Sequence, residues 1–167
     1  MFKIKFKIFD SLIEDDDRLK GEYGYFLFSV NENNYGEYRD DVDLDILSID
    51  IYDWFDNFIE AINLLKTKKE VYISDVETQE VWIKLVIQDV DTIKISEIRA
   101  EKPEGSLAVE ADIELHEKST VWEEIVQFSD VKRVLFSASE DYISKLKKIN
   151  DTKNDYIEKL IALVGEI

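Results

Sequence analysis

The chain has 167 residues, with 38 Asp and Glu against 21 Lys and Arg, a formal net charge of −17, 45% hydrophobic residues and 12% aromatics. A field of that sign repels nucleic acid and anionic membrane and attracts cationic partners, while the apolar content is too high for a disordered acidic tail. With no cysteine there are no disulfides, thiolate metal sites or cysteine nucleophiles, which fits a reducing cytosol and predicts a cytoplasmic protein.

The first element is a strand. Phe2, Ile4, Phe6 and Ile8 alternate with Lys3, Lys5 and Lys7, giving one apolar and one wet face. The lysine row suits an edge strand guarded against aggregation. The same alternation lacks the continuous apolar core of a signal peptide, and no later stretch is long and apolar enough for a membrane span. After the Asp-rich residues 14–18, a second strand is expected from Tyr23 to Val30, with Tyr23 and Tyr25 on one face and Phe26 and Phe28 on the other. Residues 31–43 read as a polar loop with a turn signal at Asn34-Tyr35-Gly36. Residues 44–49 read as a short strand or helix lead-in.

From Asp50 the period changes. Ile51, Trp54, Phe55, Phe58, Ile62 and Leu65 recur at helical spacing behind Asp50 as N-cap, predicting a helix over 50–66. Asp53, Asp56, Asn57, Glu60 and Asn63 form a polar stripe on its other side. Strands are then expected around Val71 and Ile73, from Val81 to Ile87, and from Ile93, where the phase slips before Ile98 as a bulge would produce. Leu107, Val109, Ala111, Ile113 and Leu115 alternate with Glu110, Asp112 and Glu114 in the cleanest strand pattern of the chain. Pro103-Glu104-Gly105 reads as a hairpin turn. Residues 121–128 fit strand or helix, with strand preferred. A long amphipathic helix should run from Ser129 as N-cap to Ile149, break at Asn150-Asp151, and be followed by a last helix that ends before Gly165. The expected fold is a single α+β domain spanning 1–167. It is an antiparallel meander of about six to seven strands, since the short joints exclude parallel crossovers, with about three helices on one face.

Chemical signatures are sparse. Asp41-Val42-Asp43-Leu44-Asp45 alternates like a calcium loop, but the positions that need Gly and Glu hold Ile46 and Tyr52. Asp15, Asp16 and Asp17 read as solvated loop carboxylates. The lone histidine, His116, has neither a serine elbow nor a ligand set around it, and phosphate-cradling glycine motifs are missing. Carboxylates are so numerous that a pair at glycosidase spacing carries no information. Lys145, Lys147 and Lys148 with Lys153 form a local basic strip of the kind common near a helix C-terminus. The expectation is a non-enzyme with no metal and no cofactor.

What remains is an acidic, aromatic stretch. Between Asp10 and Glu60 lie sixteen carboxylates against only Arg18, Lys20 and Arg39. Tyrosines ringed by carboxylates suit capture of a basic partner, so the candidate partner-binding residues are Tyr35, Glu37, Tyr38, Asp40, Asp41, Asp43, Asp45, Asp53, Asp56 and Glu60. Tyr35 and Tyr38 are the expected exposed anchors, and Trp54 is expected in the core. In its small, acidic, cysteine-free α+β format and its acid-plus-aromatic segments, Asn31 to Asp41 and Asp50 to Leu65, the chain resembles the immunity proteins of bacterial toxin–immunity systems. The resemblance implies stoichiometric inhibition, the acidic face docking on the cationic cleft of a toxin such as a nuclease. The alternatives are a housekeeping or assembly subunit whose acidity serves solubility, a nucleic-acid mimic, and an enzyme of unrecognised type.

Overall fold

The computed structural model describes every residue except Asp15, Asp16, Val76, Gln79 and Thr152. Two antiparallel sheets and three helices are seen, so the α+β class holds. Instead of one meander of six to seven strands, the described residues form nine strands in two sheets. The first sheet has β1 (Phe2–Ile8), β2 (Tyr23–Val30) and β3 (Asn33–Glu37) in that order, with the short β4 (Ile49–Asp50) beside the start of β2. Helix α1 (Ile51–Leu64) follows. The second sheet holds β5 (Glu70–Ser74), β6 (Val81–Ile87), β7 (Thr92–Ala100), β8 (Val109–Glu110) and β9 (Glu117–Gln127), ordered β8-β5-β6-β7-β9. The chain ends with α2 (Phe128–Ile149) and α3 (Asp155–Val164). Among the described residues no helix is long and apolar enough to cross a membrane.

Helix α1 is the reason there are two sheets. It packs against β2 of one and β5 of the other, and Ile51, Trp54, Phe55, Phe58, Ile59 and Ile62 are all buried. Phe55 meets Phe26 edge-on, Phe58 meets Phe28, and Trp54 stacks on Phe26. Each such side chain contributes roughly 1.5–3 kcal/mol by leaving water, so the aromatic seam between α1 and β2 dominates the core. Asp50 caps the helix as expected, its carboxylate accepting the Asp53 N–H at 2.8 Å.

Several expectations hold in detail. β1 is an edge strand with Lys3 and Lys5 exposed, 121–128 is mostly strand, and β7 pairs with β9 through a register shift between Glu97 and Ile98. Others need correction. The turn after β2 sits at Asn31-Glu32, where Asn31 takes φ 55°, and not at Asn34-Tyr35-Gly36. Gly36 is instead a strand residue at φ +92°, where a Cβ would lie 2.2 Å from the Phe26 carbonyl oxygen. The segment 107–115 forms a strand only at Val109–Glu110; Ile113 and Leu115 fold down on the outer surface of the second sheet and cover Tyr72, Trp82, Ile98 and Ala100. The turn at Pro103 is real, with Ser106 N–H donating to the Pro103 carbonyl. It joins β7 to β8 across the sheet, so it is no hairpin. Helix α2 begins at Phe128, two residues earlier than Ser129 would allow as N-cap, because Asp91 takes both the Ser129 N–H and its hydroxyl.

Candidate protein-binding site

The acidic third of the chain divides into two groups. One is the connection between β3 and β4, residues 38–48, which crosses the outer side of the first sheet. Its anchor is Tyr25, fully buried on β2. The Tyr25 hydroxyl donates to the Val42 carbonyl at 3.1 Å and accepts from the Leu44 N–H at 3.0 Å, while its ring packs edge-on against Phe9. Lys7 pairs with Asp43 at 2.6 Å and reaches the Asp40 carbonyl at 3.4 Å. Ser11 donates to Asp45, and Ser48 donates to the Asp45 carbonyl, closing a helical turn over Asp45–Leu47. A segment that reads as an irregular polar run is therefore tied down along its length.

That scaffold leaves a defined set of groups in solvent. Asp40, Asp41 and Asp45 are exposed and, among the described residues, form no ion pair. Asp43 is held by Lys7 and Glu37 by Arg39 at 2.9 Å; both cations have their pKa values raised, chiefly by the hydrogen bond to the carboxylate. Ile46 stands 89% exposed among these acids. Tyr38 is half-buried, tilted against Tyr25, with the Lys5 ammonium 5.1 Å from its ring centre. Ile46 and the carboxylates of Asp40, Asp41 and Asp45 thus stand in solvent on one loop that Tyr25, Lys7, Ser11 and Ser48 tie down. Among the described residues no three His, Asp or Glu side chains are grouped to hold a metal ion, and His116 is exposed.

The other candidates lie elsewhere. Tyr35, expected exposed in a loop, is a half-buried residue of β3. Its ring contacts Phe28 and Trp54, and its hydroxyl donates to Asp75; burial, helped by that bond, pushes the phenol far above its usual pKa. The stripe on α1 faces helix α3. Asp56 is buried and paired with Lys159 at 2.7 Å, Asn63 donates to the Leu163 carbonyl, and the Tyr52 hydroxyl donates to the Tyr156 carbonyl. Asp53 is half-buried and Glu60 exposed at the margin, both with pKa values raised by burial and by the charge of Asp56. Asp50 is raised further, to about 7, by burial and then by Asp53 and Glu22. The structure thus brings Glu37, Tyr38, Asp40, Asp41, Asp43 and Asp45 together on one loop, sets Tyr35, Asp53 and Asp56 into packed surroundings, and leaves Glu60 exposed at the edge of the α1 stripe. Asp15 and Asp16 lie outside the described residues.

Sequence reasoning missed Ile46. Its only signal is an apolar residue with no periodic partner in an acidic run, which is weak beside the neighbouring helix pattern. Comparison with known proteins leaves the site to be read from its own geometry: no protein-family model matches the chain, and neither a curated protein nor a solved structure matches it.

Proposed function

We propose that the protein is an acidic protein-binding module, an immunity-type inhibitor that occludes a cationic surface on a cognate basic protein, such as the cleft of a nuclease toxin. The observation that carries this reading is the pinned loop 38–48, which holds exposed Asp40, Asp41 and Asp45, without an ion pair among the described residues, together with an exposed Ile46. Because the loop is ordered before binding, little conformational entropy is lost on docking. The net charge of −17 speeds encounter with a basic partner, and the desolvated aliphatic centre then sets the lifetime of the complex.

The test is affinity purification from the native cell with two matched baits, the natural protein and an Asp40→Lys/Asp41→Lys/Asp45→Lys variant. The reading expects a basic protein retained by the first bait and lost by the second. Binding of the purified pair should weaken about tenfold or more between 50 and 300 mM salt, as screening removes the long-range attraction. A partner held equally by both baits, or the absence of any basic protein on the natural bait, overturns it.

A further inference from the structure

The open edge of β1 lies at the bottom of a slot. Asn31 N–H donates to the Met1 carbonyl and Phe9 N–H to the Tyr23 carbonyl, so the odd-numbered residues of β1 bond across to β2. Antiparallel alternation then turns the peptide groups of Phe2, Ile4, Phe6 and Ile8 to the other side. Phe2 N–H is met there by Asp130 at 3.4 Å. Beyond it two adjoining clefts of about 560 and 460 Å³ run along the edge, sharing Phe6, Tyr38 and Asp40. Val134, Ala138 and Asp141 of α2 form one wall, continued by Lys145 and Lys148, and Tyr38 with Asp40 forms the other. A sheet edge flanked on both sides in this way is shaped to receive one added extended segment.

The chain itself contains a segment of matching pattern. β1 alternates Phe, Ile, Phe and Ile with three lysines, and 109–115 alternates Val109, Ala111, Ile113 and Leu115 with Glu110, Asp112 and Glu114. Only Val109–Glu110 of that segment is strand in its own fold; Asp112 and Glu114 are exposed, and Asp112 is paired with Lys68.

We infer that the occupant of the slot is residues 110–114 of a second copy of this chain, added antiparallel to β1. In the register that satisfies both alternations, Glu110, Asp112 and Glu114 stand opposite Lys7, Lys5 and Lys3, and Ala111 and Ile113 stand opposite Phe6 and Ile4. Opposite charges at directly facing positions each favour a pairing, and like charges oppose it, so a second β1 is excluded as occupant by its own lysines. Ala111 and Ile113 face the apolar wall of Val134 and Ala138. Ile113 and Leu115 leave Tyr72 and Trp82 in the exchange, which makes the association weak and concentration-dependent. Reciprocal donation between two copies closes a two-fold dimer.

The test has two arms. In the first, sedimentation velocity follows the full chain from micromolar to millimolar concentration for the natural protein, Lys5→Glu, Asp112→Lys and the double variant. Expected is association by the natural protein, at least tenfold weaker in each single variant and restored in the double variant, where the charges are exchanged. A natural protein that stays monomeric at every concentration, association unchanged in both single variants, or no rescue in the double variant overturns the inference. The second arm needs no variant. A labelled synthetic peptide of residues 109–116 is titrated with the natural chain. N-methylation at Ala111 and Ile113 should abolish binding, and N-methylation at Glu110 and Asp112 should leave it within twofold, because only the first pair faces β1. Equal effects of the two methylations, or no binding, again overturn it.

Discussion

Tyr35 on β3 donates its phenolic hydrogen bond to the carboxylate of Asp75, just beyond the end of β5, and so bridges the two sheets beside Trp54 of α1. Asp75 also accepts from the Glu77 N–H at 2.9 Å and from the Thr78 hydroxyl at 3.0 Å, so the tyrosine docks on a carboxylate already fixed by its own loop. Tyr35→Phe keeps the ring contacts with Phe28 and Trp54 and removes only the bridge. A hydrogen bond to a charged group is worth about 1.5–3 kcal/mol, and a loss of that size is expected in urea unfolding. Binding of a basic partner should be unchanged in the same variant, because Tyr35 lies outside the exposed loop.

Asp50 should make stability depend on pH near neutrality. Burial holds its carboxyl at about 7, against an ordinary value of 3.8. Between those values the folded chain binds a proton that the unfolded chain does not, so the stability present below about pH 4 is lost progressively as pH rises to 7. Asp53 is shifted the same way, while Glu80, Asp89 and Asp130 are lowered and act in the opposite sense at acid pH. Asp50→Asn isolates the one group, since asparagine caps a helix as well as aspartate. The variant should match the natural protein near pH 4 and exceed it by at least about 1.4 kcal/mol, the worth of one unit, above pH 7.5. Urea midpoints of the two proteins across that range provide the measurement, and a constant difference would refute the assignment.

The sequence made some of this legible for physical reasons. Helix α1 is readable because its apolar stripe and its cap agree, and β1 because one face meets the core and the other meets water. The signal fails where alternation has another cause. In 107–115 Val109 and Ala111 pack on the main core while Ile113 and Leu115 cover the outer surface of the second sheet, so a period of two runs well beyond the short ladder at Val109–Glu110. Gly36 reads as a turn because glycine permits φ > 0, whereas its place is set by the close approach of the Phe26 carbonyl. The polar stripe of α1 looks solvated from its composition; only the fold brings Lys159 across from α3, about a hundred residues along the chain, to make it an interface. For the candidate site, the acidic residues of 37–45 were visible as a cluster, but nothing in their order reveals that Tyr25 holds them in place.

The contact between α1 and α3 rests on a charge pair with unequal exposure. Asp56 is buried, with one carboxylate oxygen lacking any hydrogen-bond partner among the described residues, while Lys159 is more than half exposed. Lys159→Met strands the carboxylate. The cost for a fully buried pair is about 3–5 kcal/mol, and solvent around the lysine reduces this to roughly 1–2 kcal/mol. The loss should be local, seen as faster amide exchange in α3 before any change in β6 or β7. Adding Asp56→Leu removes the stranded charge and should recover most of the stability; failure of that recovery would show that the pair does more than neutralise Asp56.

Tyr25 offers the sharpest separation of loop order from loop charge. Tyr25→Phe leaves the ring against Phe9 and every carboxylate of 38–48 in place, but removes the hydroxyl that bridges the Val42 carbonyl and the Leu44 N–H. Those two backbone groups can turn to water, so global stability should fall by only about 1–2 kcal/mol. The loop, freed at its middle, must then be ordered again each time a partner docks. At about 0.5–1.5 kcal/mol for each side chain immobilised on binding, the affinity for a basic partner should fall roughly fivefold to a hundredfold. The salt dependence of that affinity should stay as it is, because the charge has not changed. Charge reversal at Asp41 and Asp45 should do the opposite, flattening the salt dependence and slowing association. A Tyr25→Phe variant that binds as tightly as the natural protein would show that the order of the loop is a property of the fold alone.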